Sequence, residues 1–180
     1  MHVLSMENRV CKIYGGYSST MIVLAMDLSL SCPAFAVMEI TENGLDMLHL
    51  SSIKTNAKKT HGYRLFQIYN HMDSIINEYE SRLDYIVSEK GFSRHARTTQ
   101  ILFMVHGVAR LNAHQHGYDV KELSPTTVKK AVSGNGKSSK ENLADAVKGY
   151  FPLSVKFKNT DESDAAAVGV TFLIQKGKLC

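Results

Sequence analysis

A run of six apolar residues at positions 21–26 leads directly to Asp27. Turn residues follow at 29–33, and a second apolar run begins at Ala34. A short apolar run bounded by turns is typical of a buried central strand, although periodicity alone leaves a helical segment open. A carboxylate at the end of such a strand is costly unless a cation or backbone N–H groups pair with it. The stretch therefore predicts either a cation site or an Asp bonded to nearby backbone.

Length and composition indicate one globular domain. The chain has 180 residues, of which 44% are hydrophobic, enough for one sizeable core and too few for two ordinary domains. We expect residues 1–20 to be a poorly ordered N-terminal extension and residues 21–180 to be the single domain. The net charge of +4 permits a polyanionic partner without requiring one. No run of about 18 apolar residues occurs, so no membrane partner is expected.

The chain then alternates between strand and helix patterns. Strands are predicted at 34–40 and 45–53, joined by an Asn43-Gly44 turn, and this makes an antiparallel meander with the first strand. Helical periodicity covers 65–79. A second apolar strand is predicted at 83–89, and it again ends in a carboxylate, that of Glu89. A helix is expected at 94–114. Later elements are a strand at 118–123 and helices that begin near Ser124, near 138–139 and at Asp161.

This order of elements predicts a mixed α/β sheet. Three antiparallel strands are followed by strands that helical crossovers join. An RNase H-like fold fits the order, with five strands arranged 3-2-1-4-5, strand 2 antiparallel, and helices on both sides. In that arrangement the strands that end at Asp27 and Glu89 are neighbours, so their carboxylates meet at one edge of the sheet.

Four carboxylates are the strongest chemical feature of the chain. Asp161 and Asp164 are three residues apart at a helix start, so both can point towards Asp27 and Glu89. Acids converging without Arg or Lys among them repel, and Mg²⁺, with Mn²⁺ as a substitute, relieves that repulsion through hard oxygen ligands. Two such ions about 3.5–4 Å apart can promote phosphodiester hydrolysis. The alternative is that Asp161 is an ordinary N-cap. We expect the neighbouring Glu162 to remain on the surface.

Four motifs together resemble the RuvC-type Holliday-junction resolvases, most of all the small bacteriophage-encoded members, over about residues 21–175. The motifs are Ala25-Met26-Asp27-Leu28-Ser29, Ser88-Glu89-Lys90-Gly91-Phe92, the stretch from Val128 through Gly136 to Lys140, and Asp161-Glu162-Ser163-Asp164-Ala165-Ala166. The resemblance implies a dimeric, Mg²⁺-dependent endonuclease that nicks two strands symmetrically across a four-way DNA junction, in the cytoplasm of the cell or of the phage host.

The resemblance also implies roles for individual residues. Asp27, Glu89, Asp161 and Asp164 match the metal-binding catalytic acids of the family. Phe92 matches an aromatic residue that wedges between bases, while Lys129 and Lys140 match basic residues near the scissile phosphate. Lys130 and Lys137 flank the same Gly-rich loop and, like Arg94 and Arg97 in the following helix, could bind DNA phosphates. The alternative for all these cations is a solvated protein surface.

Several functional alternatives remain open at this stage. The favoured hypothesis is a structure-selective DNA endonuclease that forms a homodimer. The helix at 94–114 is the expected dimer interface. A catalytically idle branched-DNA-binding module would keep the basic loop and Phe92, and an RNase H-like nuclease would act on RNA–DNA hybrids. The basic connection at 54–60 leaves the choice among four-way, three-way and fork-like DNA open.

Overall fold

The computed structural model describes residues 20–91 and 95–180. Within these ranges the chain forms five strands and five helices: β1 Met21–Asp27, β2 Ala34–Thr41, β3 Gly44–Ser52, α1 His61–Tyr79, β4 Tyr85–Glu89, α2 Ala96–Gln115, β5 Val120–Leu123, α3 Pro125–Ser133, α4 Lys140–Lys148 and α5 Thr160–Gln175. The predicted elements are all present; their bounds differ by one or two residues, except that α1 begins at His61, four residues before the predicted helix. Among the described helices, none combines the length and apolar character that a membrane crossing requires.

The five strands form one sheet in the order β3-β2-β1-β4-β5. Strand β1 is antiparallel to β2 and parallel to β4. The predicted order and the predicted RNase H-like arrangement are therefore confirmed. The parallel register pairs Met26 with Ser88, so the next residues along, Asp27 and Glu89, end their strands at the same edge. Sheet topology alone brings two acids together that are 62 positions apart in the chain.

The central strand is buried on both faces, which explains its unbroken apolar sequence. Side chains alternate along a strand, so Val23 and Ala25 join the core cluster beneath α3, α4 and α5. Ile22, Leu24 and Met26 join the opposite cluster beneath α1 and α2. The apolar stripe predicted for α1 contributes to that second cluster, as expected: Ile68, Met72, Ile75, Ile76 and Tyr79 are buried.

Helix α5 lies unusually close to the sheet because its inner face carries small residues. Ala165, Ala166 and Ala167 are fully buried and belong to the core cluster that includes Val23 and Ala25 of β1. Gly169 continues this face. A Cβ built on Gly169 would lie 3.0 Å from Ala25 Cβ and would overlap the terminal methyl of Met38. The helix that carries Asp161 and Asp164 is thus held against the strand that carries Asp27.

We expect Gly169→Val to destabilise the protein by about 1–3 kcal/mol, because the added atoms have no room between α5 and the sheet. For a chain of this size that lowers Tm by roughly 2–4 °C per kcal/mol in a thermal melt. Gly62→Ala is the matched control, since nothing lies within 4 Å of a Cβ at Gly62. Equal melting temperatures for the two variants would contradict the close packing described for α5.

Candidate active site

Three aspartates converge where β1 ends and α5 begins. One carboxylate oxygen from each of Asp27, Asp161 and Asp164 lies within 4.8 Å of the others, a spacing that can hold a metal ion. Asp161 lies in the first turn of α5 and Asp164 lies three residues further on, so the two share one face of the helix. The cap of α5 is Asn159, whose Oδ1 accepts from the backbone N–H of Glu162 at 3.0 Å. Because Asn159 caps the helix, the alternative that Asp161 is the N-cap is excluded.

Glu89 stands beside this trio. It does not share the three-oxygen cluster, but its charge is among those that raise the pKa of Asp27. Among the charged neighbours of Glu89, Asp164 has the largest effect on its pKa. The four predicted acids are therefore brought to one place, with three in ligand geometry and Glu89 next to them.

Asp27 and Glu89 hold protons unusually tightly. Burial, reinforced by repulsion from Asp164, Glu89 and Asp161, raises the pKa of Asp27 to about 7. Burial, followed by repulsion from Asp164, likewise raises the pKa of Glu89 to about 7. A folded chain that keeps two carboxyl groups partly protonated at neutral pH has a strong electrostatic preference for a cation at this point. Clustered carboxylate oxygens are the donor set that hard divalent cations such as Mg²⁺ prefer.

Two lysines reach the acids. Lys140 Nζ lies 2.8 Å from Asp164 Oδ2, and this contact raises the pKa of the lysine. Lys129 lowers the pKa of Glu89 through its charge, and its Nζ donates to the carbonyl oxygen of Ser138 at 3.0 Å. Both lysines offset part of the repulsion among the acids, because their charges lower the pKa of Glu89 and that of Lys140 also lowers the pKa of Asp27. Lys140 is the first residue of α4, and the packing of α4 against α5 places it next to Asp164.

The other predicted DNA-binding residues lie further out. Lys130 and Lys137 are exposed on either side of Gly134, which ends α3 in the left-handed conformation at φ 74°. Arg97 is exposed in the first turn of α2. Phe92 and Arg94 lie outside the described residues. Of the predicted basic residues that the structure describes, only Lys129 and Lys140 interact with the carboxylate cluster.

Glu162 was expected on the surface, and this prediction is wrong. Its side chain is buried and accepts from Ser52 Oγ at 2.9 Å and from the backbone N–H of Lys158 at 2.8 Å. Asn159 Nδ2 donates to the same serine hydroxyl oxygen. Three carboxylates occur within four residues of α5, and sequence alone does not reveal which one turns towards β3. Glu162 ties the first turn of α5 to the end of β3.

We expect Glu162→Ala to lower the free energy of unfolding by about 1–3 kcal/mol, because Ser52 Oγ and the Lys158 N–H lose their acceptor. It should also weaken metal binding by the trio, since the turn that carries Asp161 and Asp164 loses its anchor. Thermal melts and Mn²⁺ titration of the DNA-free protein measure the two effects. Asp145→Ala, which removes an exposed acid of α4, is the control. A Glu162→Ala protein with unchanged stability and metal affinity would contradict the anchoring role.

Cys32 lies beside the carboxylate cluster, a position that the sequence analysis did not predict. It lies in the turn after Asp27, where its N–H donates to Ser29 Oγ at 3.0 Å. Burial, and after it a hydrogen bond to Asp161, raises the pKa of the thiol. The only signal in the sequence was its position five residues after the first acid, and no motif includes a cysteine there.

Known proteins resemble this chain in both sequence and structure. Residues 23–172 match the family model described as crossover junction endodeoxyribonuclease RuvC. A protein of that name from Rickettsia massiliae is 30% identical over 156 residues, covering 87% of this chain and 99% of its own length. The RuvC of Prochlorococcus marinus is 29% identical over 157 residues, with the same two coverages.

Solved structures agree on the fold. Thermus thermophilus RuvC superposes with a TM-score of 0.76 at 22% identity, covering 88% of this chain and 98% of its own. The same protein in complex with a Holliday junction substrate gives a TM-score of 0.78 at 21% identity, with the same coverage of both chains. At these identities the match shows a common architecture from the first strand to the last helix.

Proposed function

Because this chain belongs to the RuvC family of crossover junction endodeoxyribonucleases, we propose that its clustered carboxylates are the catalytic, metal-binding groups. These are Asp27, Glu89, Asp161 and Asp164. The chain is a Holliday junction endonuclease that binds branched DNA, and its chemistry depends on metal. The observation that carries the assignment of the site is the convergence of the Asp27, Asp161 and Asp164 oxygens within 4.8 Å. An idle binding module would have no need of acids whose mutual repulsion destabilises the fold.

We propose Mg²⁺ as the physiological metal, with Mn²⁺ able to replace it. When bound, divalent ions supply an activated water and stabilise the leaving oxygen in phosphodiester hydrolysis. The protein contributes the donor oxygens, held in place by the ends of β1 and β4 and by the N-terminal part of α5. Asp27 and Glu89 must lose the protons that burial favours before they can serve as ligands. Lys140, which contacts Asp164 at 2.8 Å, is then free to bind a phosphate oxygen.

The DNA interface extends from the acids along the Gly-rich loop. Lys129 and Lys130 are on α3, Lys137 is in the loop itself and Lys140 begins α4. We assign these four lysines to phosphates around the cleaved bond. Arg97 in the first turn of α2 would bind a neighbouring phosphate. Phe92 and Arg94 are proposed, from the family pattern, as the base wedge and a further phosphate contact.

We further propose that the enzyme is a homodimer assembled through α2. Phe103, Gly107 and Leu111 are spaced four residues apart and form one exposed stripe, with Phe103 61% and Leu111 57% exposed. Nothing lies within 4 Å of a Cβ at Gly107, so a second helix could approach closely there. A two-fold dimer matches the symmetry of a four-way junction and supplies two active sites for paired nicks.

We expect Gly107→Glu/Leu111→Glu to give a folded monomer, because two charges would be buried without partners at the helix contact. Analytical ultracentrifugation should show the loss of the dimer, and paired nicks in one junction should become single, uncoordinated nicks. Leu153→Glu is the matched control, as Leu153 is 73% exposed away from α2. A variant that remains dimeric would exclude this stripe as the interface.

Two further assignments complete the proposal. We propose that residues 21–180 form a single catalytic domain, since both core clusters pack on the same five-stranded sheet. The proposed location is the cytoplasm, where branched DNA intermediates of a bacterial or phage genome arise.

The experiment is cleavage of an end-labelled synthetic four-way junction with Mg²⁺, with Mn²⁺ and with EDTA. Linear duplex and an RNA–DNA hybrid are tested beside it. We expect metal-dependent nicks at symmetric positions in two opposed strands of the junction. Cleavage of the hybrid alone would move the activity to the RNase H type, and tight junction binding without cleavage in either metal would indicate the idle module.

A further inference from the structure

A second basic surface lies on the connection between β3 and α1, away from the Gly-rich loop. It comprises Lys54, Lys58 and Lys59 from the connection and Tyr63 and Phe66 from the first turns of α1. We call these five residues the basic-aromatic patch. All five are exposed, with Tyr63 at 49% and Phe66 at 61%. Lys59 Nζ lies 5.6 Å from the centre of the Tyr63 ring, so cation and aromatic face are adjacent.

The stretch of chain that carries this patch contains no acidic residue. No Asp or Glu occurs between Met47 and Met72, a stretch that contains three lysines and Arg64. The first turn of α1 likewise lacks acidic residues, so its helix dipole adds to the positive potential. Arg64 is buried, and the bonds described for it go to neutral groups, Thr55 Oγ1 at 2.8 Å and the Leu30 carbonyl oxygen at 3.2 Å. This charge pattern is complementary to a polyanion.

The connection is held in a fixed shape. Thr55 is buried; its hydroxyl donates to the carbonyl oxygen of Leu30 while accepting from Arg64. Asn56 closes the following turn by accepting from the backbone N–H groups of Lys58 and Lys59. Thr60 caps α1 by accepting from the N–H of Tyr63. A surface ordered in this way loses little conformational entropy when a ligand binds.

The patch is adjacent to the active site. The backbone N–H of Thr55 donates to the carbonyl oxygen of Ser31 at 2.9 Å. Ser31 belongs to the turn after Asp27, and the next residue, Cys32, lies close enough to Asp161 for that acid to raise the pKa of its thiol. DNA held at the catalytic acids therefore has a path on to the patch along this turn, in addition to its path along the Gly-rich loop.

We propose that the basic-aromatic patch is a second nucleic-acid site that binds an unpaired DNA strand of branched substrates, such as the single-stranded arm of a fork. The lysines bind phosphates, and the rings of Tyr63 and Phe66 stack on bases. Cations alone would be enough to hold a duplex backbone, whereas exposed rings three residues apart on one helix face fit unpaired bases. The proposal rests on the proposed function and adds a substrate class to it.

The test measures equilibrium binding in EDTA, so that it does not depend on cleavage. The probes are a labelled oligothymidylate of about 16 nucleotides, a fork with one unpaired arm, and a fully paired four-way junction. Tyr63→Ala/Phe66→Ala should weaken binding of the oligonucleotide and of the fork at least tenfold, and leave junction binding within about twofold. Leu153→Ala is the control for loss of an exposed apolar side chain.

A second pair of variants tests the lysines through salt dependence. Lys58→Gln/Lys59→Gln should reduce the slope of log affinity against log salt for the oligonucleotide by about 1.4, since two phosphate contacts are lost. Lys148→Gln/Lys176→Gln removes the same charge elsewhere and should leave the slope unchanged. An equal reduction in both doubles would mean that only net charge matters, and would overturn the proposal.

Other outcomes of the aromatic variant also decide the matter. Equal weakening of fork and paired junction would assign the patch to a duplex arm and overturn the unpaired-strand site. Dissociation of the protein into monomers by Tyr63→Ala/Phe66→Ala would make the patch a protein interface. Failure of the native chain to cut any junction would reject the proposed function while the oligonucleotide result still stood by itself.

Discussion

Asp27→Asn is expected to lower the rate of metal-dependent junction nicking by about a thousandfold or more. Asp27 is the only one of the clustered acids on the central strand, and its oxygen is one of the three that lie within 4.8 Å. Loss of about 4 kcal/mol of stabilisation of the transition state corresponds to that factor. Single-turnover cleavage of a labelled junction measures it, and binding of the same junction in EDTA should be retained.

The same substitution should make the metal-free protein more stable above neutral pH. The folded-state pKa of Asp27 is about 7, raised from an ordinary 3.8, so the folded chain binds this proton more tightly than the unfolded chain does. The stabilisation of the folded state by this proton is complete below about pH 4 and is lost as the pH rises through 7. Its upper limit is about 4 kcal/mol, because one pKa unit is worth about 1.4 kcal/mol. Asparagine stays neutral and avoids the loss.

Thermal melts in EDTA at about pH 5 and about pH 8 test the stability effect. We expect Asp27→Asn to raise Tm by several degrees at the higher pH and to differ less from the native chain at the lower one. Asp145→Asn, at an exposed position of α4, is the control for a change of net charge. A variant that is less stable than the native chain at both pH values would show that ionised Asp27 is not destabilised by its burial and by the neighbouring acids.

Metal affinity is expected to rise at least tenfold between about pH 5.5 and 7.5 and to level off above about 8. Asp27 and Glu89 both have pKa values of about 7 in the metal-free protein, so below that pH a divalent cation must displace their protons. Each displaced proton contributes up to a tenfold change in apparent affinity per pH unit. Mn²⁺ titration of the DNA-free protein by calorimetry measures the affinity.

Calorimetry in buffers of different protonation enthalpy counts the protons released. The native chain should release more than one proton per binding event near pH 6.5, and Glu89→Gln should release about one fewer. The control is Glu141→Gln, at an exposed residue in the first turn of α4. Affinity that is constant across this pH range would contradict the assignment of the raised pKa values to the metal-binding acids.

The fold and the position of the acids could be predicted because they depend on patterns that are visible in the sequence itself. Strand-end carboxylates after apolar runs, together with the order of elements, are enough to place Asp27 beside Glu89. Ser124 was expected to cap α3, and it does so by accepting from the N–H of Thr127. The cap depends only on residues next to one another in the sequence. The meeting of Asp27 and Glu89 depends only on the order of the strands in the sheet.

Contacts that depend on the docking of separate elements could not be predicted. Glu162 and Asp161 are adjacent acids in one helical turn, and only the approach of Ser52 from β3 decides that Glu162 turns inwards. Lys140 was expected near a phosphate, and its contact with Asp164 depends on how α4 packs against α5. The proximity of the Cys32 thiol to Asp161 also depends on how separate elements dock, since no local sequence pattern links the two residues.

The close packing of α5 on β1 has a consequence for the stage of folding at which the metal site forms. Asp27 and Glu89 belong to strands of the sheet, whereas Asp161 and Asp164 belong to α5, which must pack against Ala25 through Gly169 to bring them near. A chain that has formed its sheet but has not yet docked α5 therefore lacks two of the four proposed metal-binding acids. The complete set of acids forms only when α5 docks on the sheet.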